Sequence, residues 1–210
     1  SLSLSKRPKV HSPNDNTMKG IYIFLAEGFE EIEALATLDV LRRGGIEAST
    51  VSITDEEVVT GAHGVPVAAD LTWDLFKERA VSEGTDGKDV LVFPGGMPGT
   101  KNLAEDTELM ELMKRHYAEG GTLAAICAAP GLVLSQLPSL KGKKFTCYDG
   151  FEAAPNAKGG EYVKTSCVAD GNLITGRGPG CAVDFGLAIV ERLKGSTLAG
   201  EIKASMMIFE

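Results

Sequence analysis

The sequence predicts an α/β fold, a layered sandwich built on a mainly parallel central sheet. Three observations carry this. The continuous apolar run Ile21–Ala26 and the apolar-rich stretches Asp89–Phe93 and Thr122–Ile126 read as strands buried on both faces. Stretches with helical spacing separate them, and strands alternating with helices imply right-handed parallel crossovers. Two of these runs end in turns of small residues, Pro94–Gly99 and Cys127–Pro130, and such folds place their working groups beyond the carboxyl ends of the strands.

Taken in order, the first strand leads into a helix from about Glu30 to Arg43, closed by Gly44-Gly45. Glu47–Ile53 reads as a strand. Val65-Pro66-Val67 reads as a short edge or hairpin strand, because proline removes a ladder donor. After Phe93 comes the turn Pro94-Gly95-Gly96-Met97-Pro98-Gly99, then an amphipathic helix over Thr107–Glu119 with Leu109, Leu112 and Met113 on one side. Thr122–Ile126 runs straight into Cys127-Ala128-Ala129-Pro130 and a helix reaching about Leu137. Lys144–Tyr148, Tyr162–Ala169 and Asn172–Thr175 read as shorter strands. Ala182–Leu193 closes the pattern as a helix, with a shorter one after it.

Composition narrows the function classes. The 210 residues are 43% hydrophobic and 24% charged, enough apolar material for one compact domain over 18–210. A net charge of −8 argues against nucleic acid or anionic lipid as partners. No apolar run is long enough to cross a bilayer as a helix. The four cysteines make no CxxC pair and no Cys/His cluster has zinc spacing, so a reducing, cytoplasmic setting is expected, with no metal. Residues 1–17 are Ser-rich and carry Lys6, Arg7 and Lys9 without periodicity. They read as a disordered leader, an expression remnant or a targeting extension, with Met18 as a natural start.

The strand-end rule points to three segments: Glu27–Glu33, Pro94–Gly99 and Cys127–Pro130. Cys127 leaves a buried strand at a sharp turn into a helix, where free N–H groups and the helix dipole lower a thiol's pKa. The alternative is an inert buried cysteine. Gly95 and Gly96 permit backbone conformations that aim N–H groups into a pocket, and those of Gly96 and Ala128 together suit an oxyanion. No GxGxxG follows the first strand, so a dinucleotide site is not expected. On the first helix Ile32, Leu35, Ala36 and Val40 form the apolar face. Glu33 falls about 20° from Val40 at its margin, where partial burial raises a carboxyl's pKa. Glu30 and Glu31 lie further out and read as a stabilising acidic first turn. Asp39 is placed to pair with Arg43 four residues on.

The stretches LAEGFEEIEAL, DVLRRGGI, VLVFPGGMPGTKNL, AAICAAP, ITGRGPG and AVDFGLAIVERL carry a resemblance to the ThiJ/PfpI superfamily, in its Parkinsonism-associated deglycase (DJ-one) branch. The resemblance implies a flavodoxin-like three-layer sandwich, akin to class I glutamine amidotransferases, and a homodimer. It also implies a reactive Cys127 hydrogen-bonded to Glu33, with Gly96 as the oxyanion glycine. The implied activity is cofactor-independent conversion of the 2-oxoaldehydes methylglyoxal and glyoxal to hydroxy acids, with deglycase-like hydrolysis. The alternative is a peroxide-sensing, chaperone-like stress protein in which Cys127 becomes a sulfinic acid. Peptidases of the superfamily hold a histidine directly after the nucleophile. Ala128 stands there, so peptidase activity is not expected.

Tyr148 stands where some members hold a histidine, and His63 where relatives carry an arginine near the pocket. Arg43 and Arg177 are further pocket candidates, Arg177 with a capping role or one in the dimer as alternatives. His116 is expected on a solvated helix face. Cys147, Cys167 and Cys181 are expected in the core or an interface, with Cys147 a possible second oxidation target.

Overall fold

A computed structural model describes residues 20–83 and 88–209, so the leader over 1–17 lies outside the described residues. The first half runs β1 (Ile21–Leu25), α1 (Glu31–Arg43), β2 (Ala48–Ser52), β3 (Val58–Thr60), β4 (Pro66–Ala68), α2 (Trp73–Glu83), β5 (Val90–Phe93), α3 (Gly99–Glu105) and α4 (Thr107–Ala118). The second runs β6 (Thr122–Ile126), α5 (Ala129–Leu132), β7 (Lys144–Phe145), α6 (Ala153–Ala157), β8 (Glu161–Tyr162), β9 (Cys167–Asp170), β10 (Leu173–Gly176), α7 (Ala182–Lys194) and α8 (Ser196–Ser205).

Six strands form one sheet in the order β2-β1-β5-β6-β10-β9. All pairs are parallel except the antiparallel edge between β10 and β9. Alternation along each strand sends side chains to two cores. Ile21, Ile23, Leu25, Val92, Ile126 and Ile174 meet α1, α7 and α8 on one face. Tyr22, Phe24, Leu91, Phe93, Leu123 and Ala125 meet the helices α2, α3, α4 and α5 on the other. The three-layer sandwich expected from the pattern is therefore the fold. In the first layer α7 lies tight on α1, where a Cβ on Gly186 would approach Val40 Cβ to 2.9 Å. In the second, Phe24 stacks on Phe93 at 5.4 Å and meets Phe76 edge-on at 5.3 Å.

Several boundaries differ from expectation. The helix after Cys127 does not reach Leu137. It stops at Leu132, and a 3₁₀ turn covers Leu134–Gln136. The expected strand over Tyr162–Ala169 is two separate strands, β8 and β9, and β7 is only two residues long. Helices α2 and α3 were not expected.

The buried face of α1 also differs. It consists of Glu31, Glu33, Ala34, Thr37, Val40 and Leu41, while Ile32 is 55% exposed. Backbone N–H groups outside the helix donate to the Glu31 and Glu33 carboxyls in the interior, which rotates the face away from the one that hydrophobicity alone selects. His116 is likewise buried, not solvated, because its Nε2 is 2.9 Å from the Asp89 carbonyl oxygen.

Candidate active site

The carboxyl ends of β1, β5, β6 and β10 lie side by side, and the site is assembled from the turns that follow them. Cys127 directly follows β6 with φ 66°, a left-handed conformation that costs a non-glycine residue about 1–2 kcal/mol. Two backbone bonds hold it there: its N–H donates to the Gly176 carbonyl at 3.0 Å, and its carbonyl accepts the Tyr148 N–H at 2.9 Å. The thiol points back toward the β5 turn, and the N–H groups of Gly96 in that turn and of Ala128, the next residue in the chain, hydrogen-bond to the sulfur. Gly96 has φ 92°, which orients its amide inward.

Glu33 enters from α1. Glu30 caps this helix, its Oε2 accepting the Glu33 N–H at 2.8 Å, which fixes the first turn. The Glu33 carboxyl is 1% exposed, accepts the Gly95 N–H on Oε1 at 2.9 Å, and hydrogen-bonds with the Cys127 thiol. Its Oε2 is buried without a well-formed partner. Gly95 is wedged between the two groups. A Cβ there would sit 2.5 Å from both Cys127 Cβ and Glu33 Oε1, so only glycine lets thiol and acid meet.

Burial pushes the Glu33 carboxyl up to about 7. The Cys127 and Gly95 hydrogen bonds oppose that rise and the nearby Glu30 charge adds to it. Burial also pushes the Cys127 thiol up to about 12, reinforced by the Glu33 charge and against the two N–H donors. This corrects the expectation of a depressed thiol. Helix α5 has four residues and Cys127 lies outside its N-cap, Ala128, so the dipole is weak while burial and a facing carboxylate are strong. Thiol and acid thus compete for one proton, which rests on sulfur whenever Glu33 is ionised.

Of the other candidates, Tyr148 and Arg177 line a cavity of about 230 Å³ together with Asp149 and Gly178–Cys181, and the Tyr148 N–H ties this wall to the Cys127 carbonyl. Arg177 donates to Asp149 Oδ1 at 2.7 Å, a partner that no sequence spacing signalled. Asp149 holds the Arg177 guanidinium above its ordinary range. His63 projects into solvent from the β3–β4 turn, its Nδ1 3.1 Å from Glu31 Oε1. Glu31 in turn accepts the His63 and Val65 N–H groups. Glu30, Glu31 and His63 bring three potential ligand atoms within 4.8 Å, the one such cluster among the described residues.

Arg43 is corrected out of the pocket. It pairs with Asp39 at 2.7 Å on the solvent side of α1, about 15 Å along the helix from Glu33. Cys147 is fully buried, so its thiol is shielded from oxidants in the native state. Glu30 and Glu31 are both buried, contrary to a solvated first turn, although Glu30 keeps its capping role.

Residues 19–192 match the DJ-1/PfpI family. The chain belongs to this family. Protein DJ-1 homolog A of Arabidopsis thaliana is 34% identical over 191 residues, 90% of this chain and 47% of that protein. The chain thus spans about half the length of the Arabidopsis relatives it matches. A Caenorhabditis elegans protein named glutathione-independent glyoxalase DJR-1.2 is 33% identical over 169 residues, covering 80% of this chain and 85% of that protein. The crystal structure of Drosophila melanogaster DJ-1beta superposes with a TM-score of 0.81 at 33% identity, covering 92% of this chain and all of the other. These likenesses agree with the family expected from the motifs. Among the described residues, no helix of this DJ-1/PfpI chain is long and apolar enough to cross a membrane.

Proposed function

We propose that this chain is a cofactor-independent glyoxalase that converts methylglyoxal and glyoxal to lactate and glycolate. The observation that carries the reading is the pairing of a buried, incompletely hydrogen-bonded Glu33 carboxyl with a thiol that two backbone amides face. The relative named a glyoxalase supports the reaction class.

Glu33, as carboxylate, takes the Cys127 proton while sulfur adds to the aldehyde carbon. The oxygen that gains charge is held by the Gly96 and Ala128 N–H groups and receives the proton, giving a hemithioacetal. Glu33 then removes the former aldehyde hydrogen, and the electron pair moves onto the adjacent carbonyl oxygen as an enediolate. Glu33 returns that proton to the second carbon while the hydroxyl proton of the first carbon passes to the second carbon's oxygen, leaving the thioester of the hydroxy acid. Water attacks its carbonyl, the carbon–sulfur bond breaks, and the hydroxy acid leaves as the thiol is restored. A raised Glu33 is suited to these transfers because it gives and accepts a proton near neutral pH. A pre-formed thiolate is not required.

Tyr148 and the Arg177–Asp149 pair shape the approach to the sulfur. A homodimer is the proposed assembly, supported by exposed apolar Ile32 beside a β3–β4 hairpin carrying exposed Val58 and Val65. The four free cysteines fit a reducing, cytoplasmic setting. Peroxide sensing at Cys127 is the weaker reading, because a raised thiol is a slow nucleophile toward peroxide in the resting state.

The test is lactate release from methylglyoxal by the purified chain across pH, beside Cys127→Ser. The expected rate climbs with pH through about 7, as Glu33 becomes a base. A rate equal to the serine background at every pH would end the proposal.

A further inference from the structure

Two buried carboxyls at the head of α1 take no proton in the proposed chemistry. The side chains of Glu30 and Glu31 are only 8% and 10% exposed. Across from them stands His63 in the β3–β4 turn, 32 residues from Glu31 in sequence. Its Nδ1 lies 3.1 Å from Glu31 Oε1 and 3.8 Å from Glu30 Oε1, and the three potential ligand atoms fall within 4.8 Å of one another. Among the described residues, His63 is the only basic side chain within ion-pair distance of either acid.

The backbone holds this arrangement. The Ala62 N–H donates to the Phe29 carbonyl at 2.7 Å, and the His63 and Val65 N–H groups donate to Glu31 Oε2 at 2.9 and 3.3 Å. Gly61 leaves the space that this carboxyl fills, since a Cβ there would come within 2.7 Å of Glu31 Oε1. These contacts account for Glu31, and capping of the Glu33 N–H accounts for Glu30 Oε2. Neither accounts for Glu30 Oε1. That oxygen accepts no hydrogen bond among the described residues, although its side chain is more than nine-tenths buried, and it faces His63. An anionic oxygen withdrawn from water and left unpaired is costly unless a cation completes it.

We propose that Glu30, Glu31 and His63 bind one divalent transition-metal ion of the zinc class, which ties the β3–β4 turn to the head of α1. One imidazole nitrogen with two carboxylate oxygens is a donor set for zinc and its neighbours, whereas Mg²⁺ and Ca²⁺ take oxygen alone. Three protein ligands leave a fourth position for water. Ligands sit about 2.0–2.2 Å from a tetrahedral zinc, hence about 3.3–3.6 Å apart. The 3.1 and 3.8 Å separations bracket that spacing. The His63 side chain is 74% exposed, so its ring can turn to close the set. The imidazole binds through Nδ1 with its proton on Nε2, and the ion replaces the Nδ1 contact with Glu31. Neither Cys127 nor Glu33 is a ligand, so the site stands or falls independently of the proposed turnover.

The experiment titrates Zn²⁺ by calorimetry into the full chain carrying Cys127→Ser, which removes the competing active-site thiol. One ion per chain is expected at this site. His63→Ala should weaken it about tenfold or more, since loss of even an outer-shell partner brings that much. Glu30→Gln keeps an oxygen for the helix cap and should weaken the ion comparably. Saturating Zn²⁺ should raise the melting temperature of the parent and not that of His63→Ala, because an ion that binds only the folded chain stabilises it. Mg²⁺ in equal amount should leave Zn²⁺ in place. Equal Zn²⁺ affinity in the parent and in His63→Ala would overturn the proposal. So would the absence of Zn²⁺ binding, or its displacement by Mg²⁺.

Discussion

Cys127 and Cys147 are both buried thiols, and burial is the first cause that lifts each to about 12, with carboxylates adding to it. Their surroundings part there. Cys127 stands in a left-handed backbone conformation, receives two amide N–H groups on its sulfur and faces an acid poised near neutrality. Cys147 has an ordinary backbone, is fully enclosed, and has Glu152 and Asp149 as its acidic neighbours. A lifted thiol alone therefore does not distinguish a working cysteine from a structural one. The distinguishing features are geometric: stored backbone strain, convergent donors and a proton acceptor within reach.

Exchange of each cysteine for serine is the strongest way to break this contrast. Cys127→Ser should lower lactate formation about a thousandfold or more, while Cys147→Ser should leave it within about twofold. Equal losses would erase the distinction.

Glu33→Gln comes next, with two readouts of opposite sign. Activity should fall about a hundredfold or more, because the amide cannot carry the proton. Stability should rise. A carboxyl lifted from 4.5 to about 7 favours the folded state below pH 4.5, and that contribution is lost as pH rises through 7. The variant should therefore gain about 3 kcal/mol on the native chain at pH 8 relative to pH 4.5, measured by urea denaturation. A pH-independent difference would mean that Glu33 ionises normally.

The smallest effect isolates backbone strain. At position 127, glycine should be more stable than alanine by about 1 kcal/mol, since φ 66° suits only glycine. At position 147 the order should reverse by about 0.5–1 kcal/mol. Thermal melts of the four variants decide it.

Much of this contrast was legible in the residues, and the rest depended on contacts that spacing cannot encode. Val90–Phe93 and Leu123–Ile126 are apolar throughout because parallel strands are covered on both faces, so the sheet and its strand ends could be read directly. Cys127 followed from lying at such an end. Glu33 was placed at a margin when it lies in the interior, because the Gly95 amide that receives it is distant in sequence. The same blindness concealed the Glu31–His63 and Asp149–Arg177 contacts. Helix α3 was hidden by its Pro98–Gly99 start, which reads as a turn, and α5 was overextended past Gly131 because its apolar residues continue into a 3₁₀ turn. The thiol's direction was misjudged for a related reason: the acid invoked to help it is also the charge that opposes its ionisation.

The groups that steady the sulfur and the carboxyl are main-chain amides of Gly95, Gly96 and Ala128, so no side-chain exchange elsewhere can delete them. Asp149 and Arg177, by contrast, meet through their side chains, and Tyr148 adds its ring beside the backbone bond it makes to Cys127. For the proposed glyoxalase, exchanges that admit bulkier aldehydes therefore belong on the side chains of that rim. The candidate centre is mortised into the sheet and stays put.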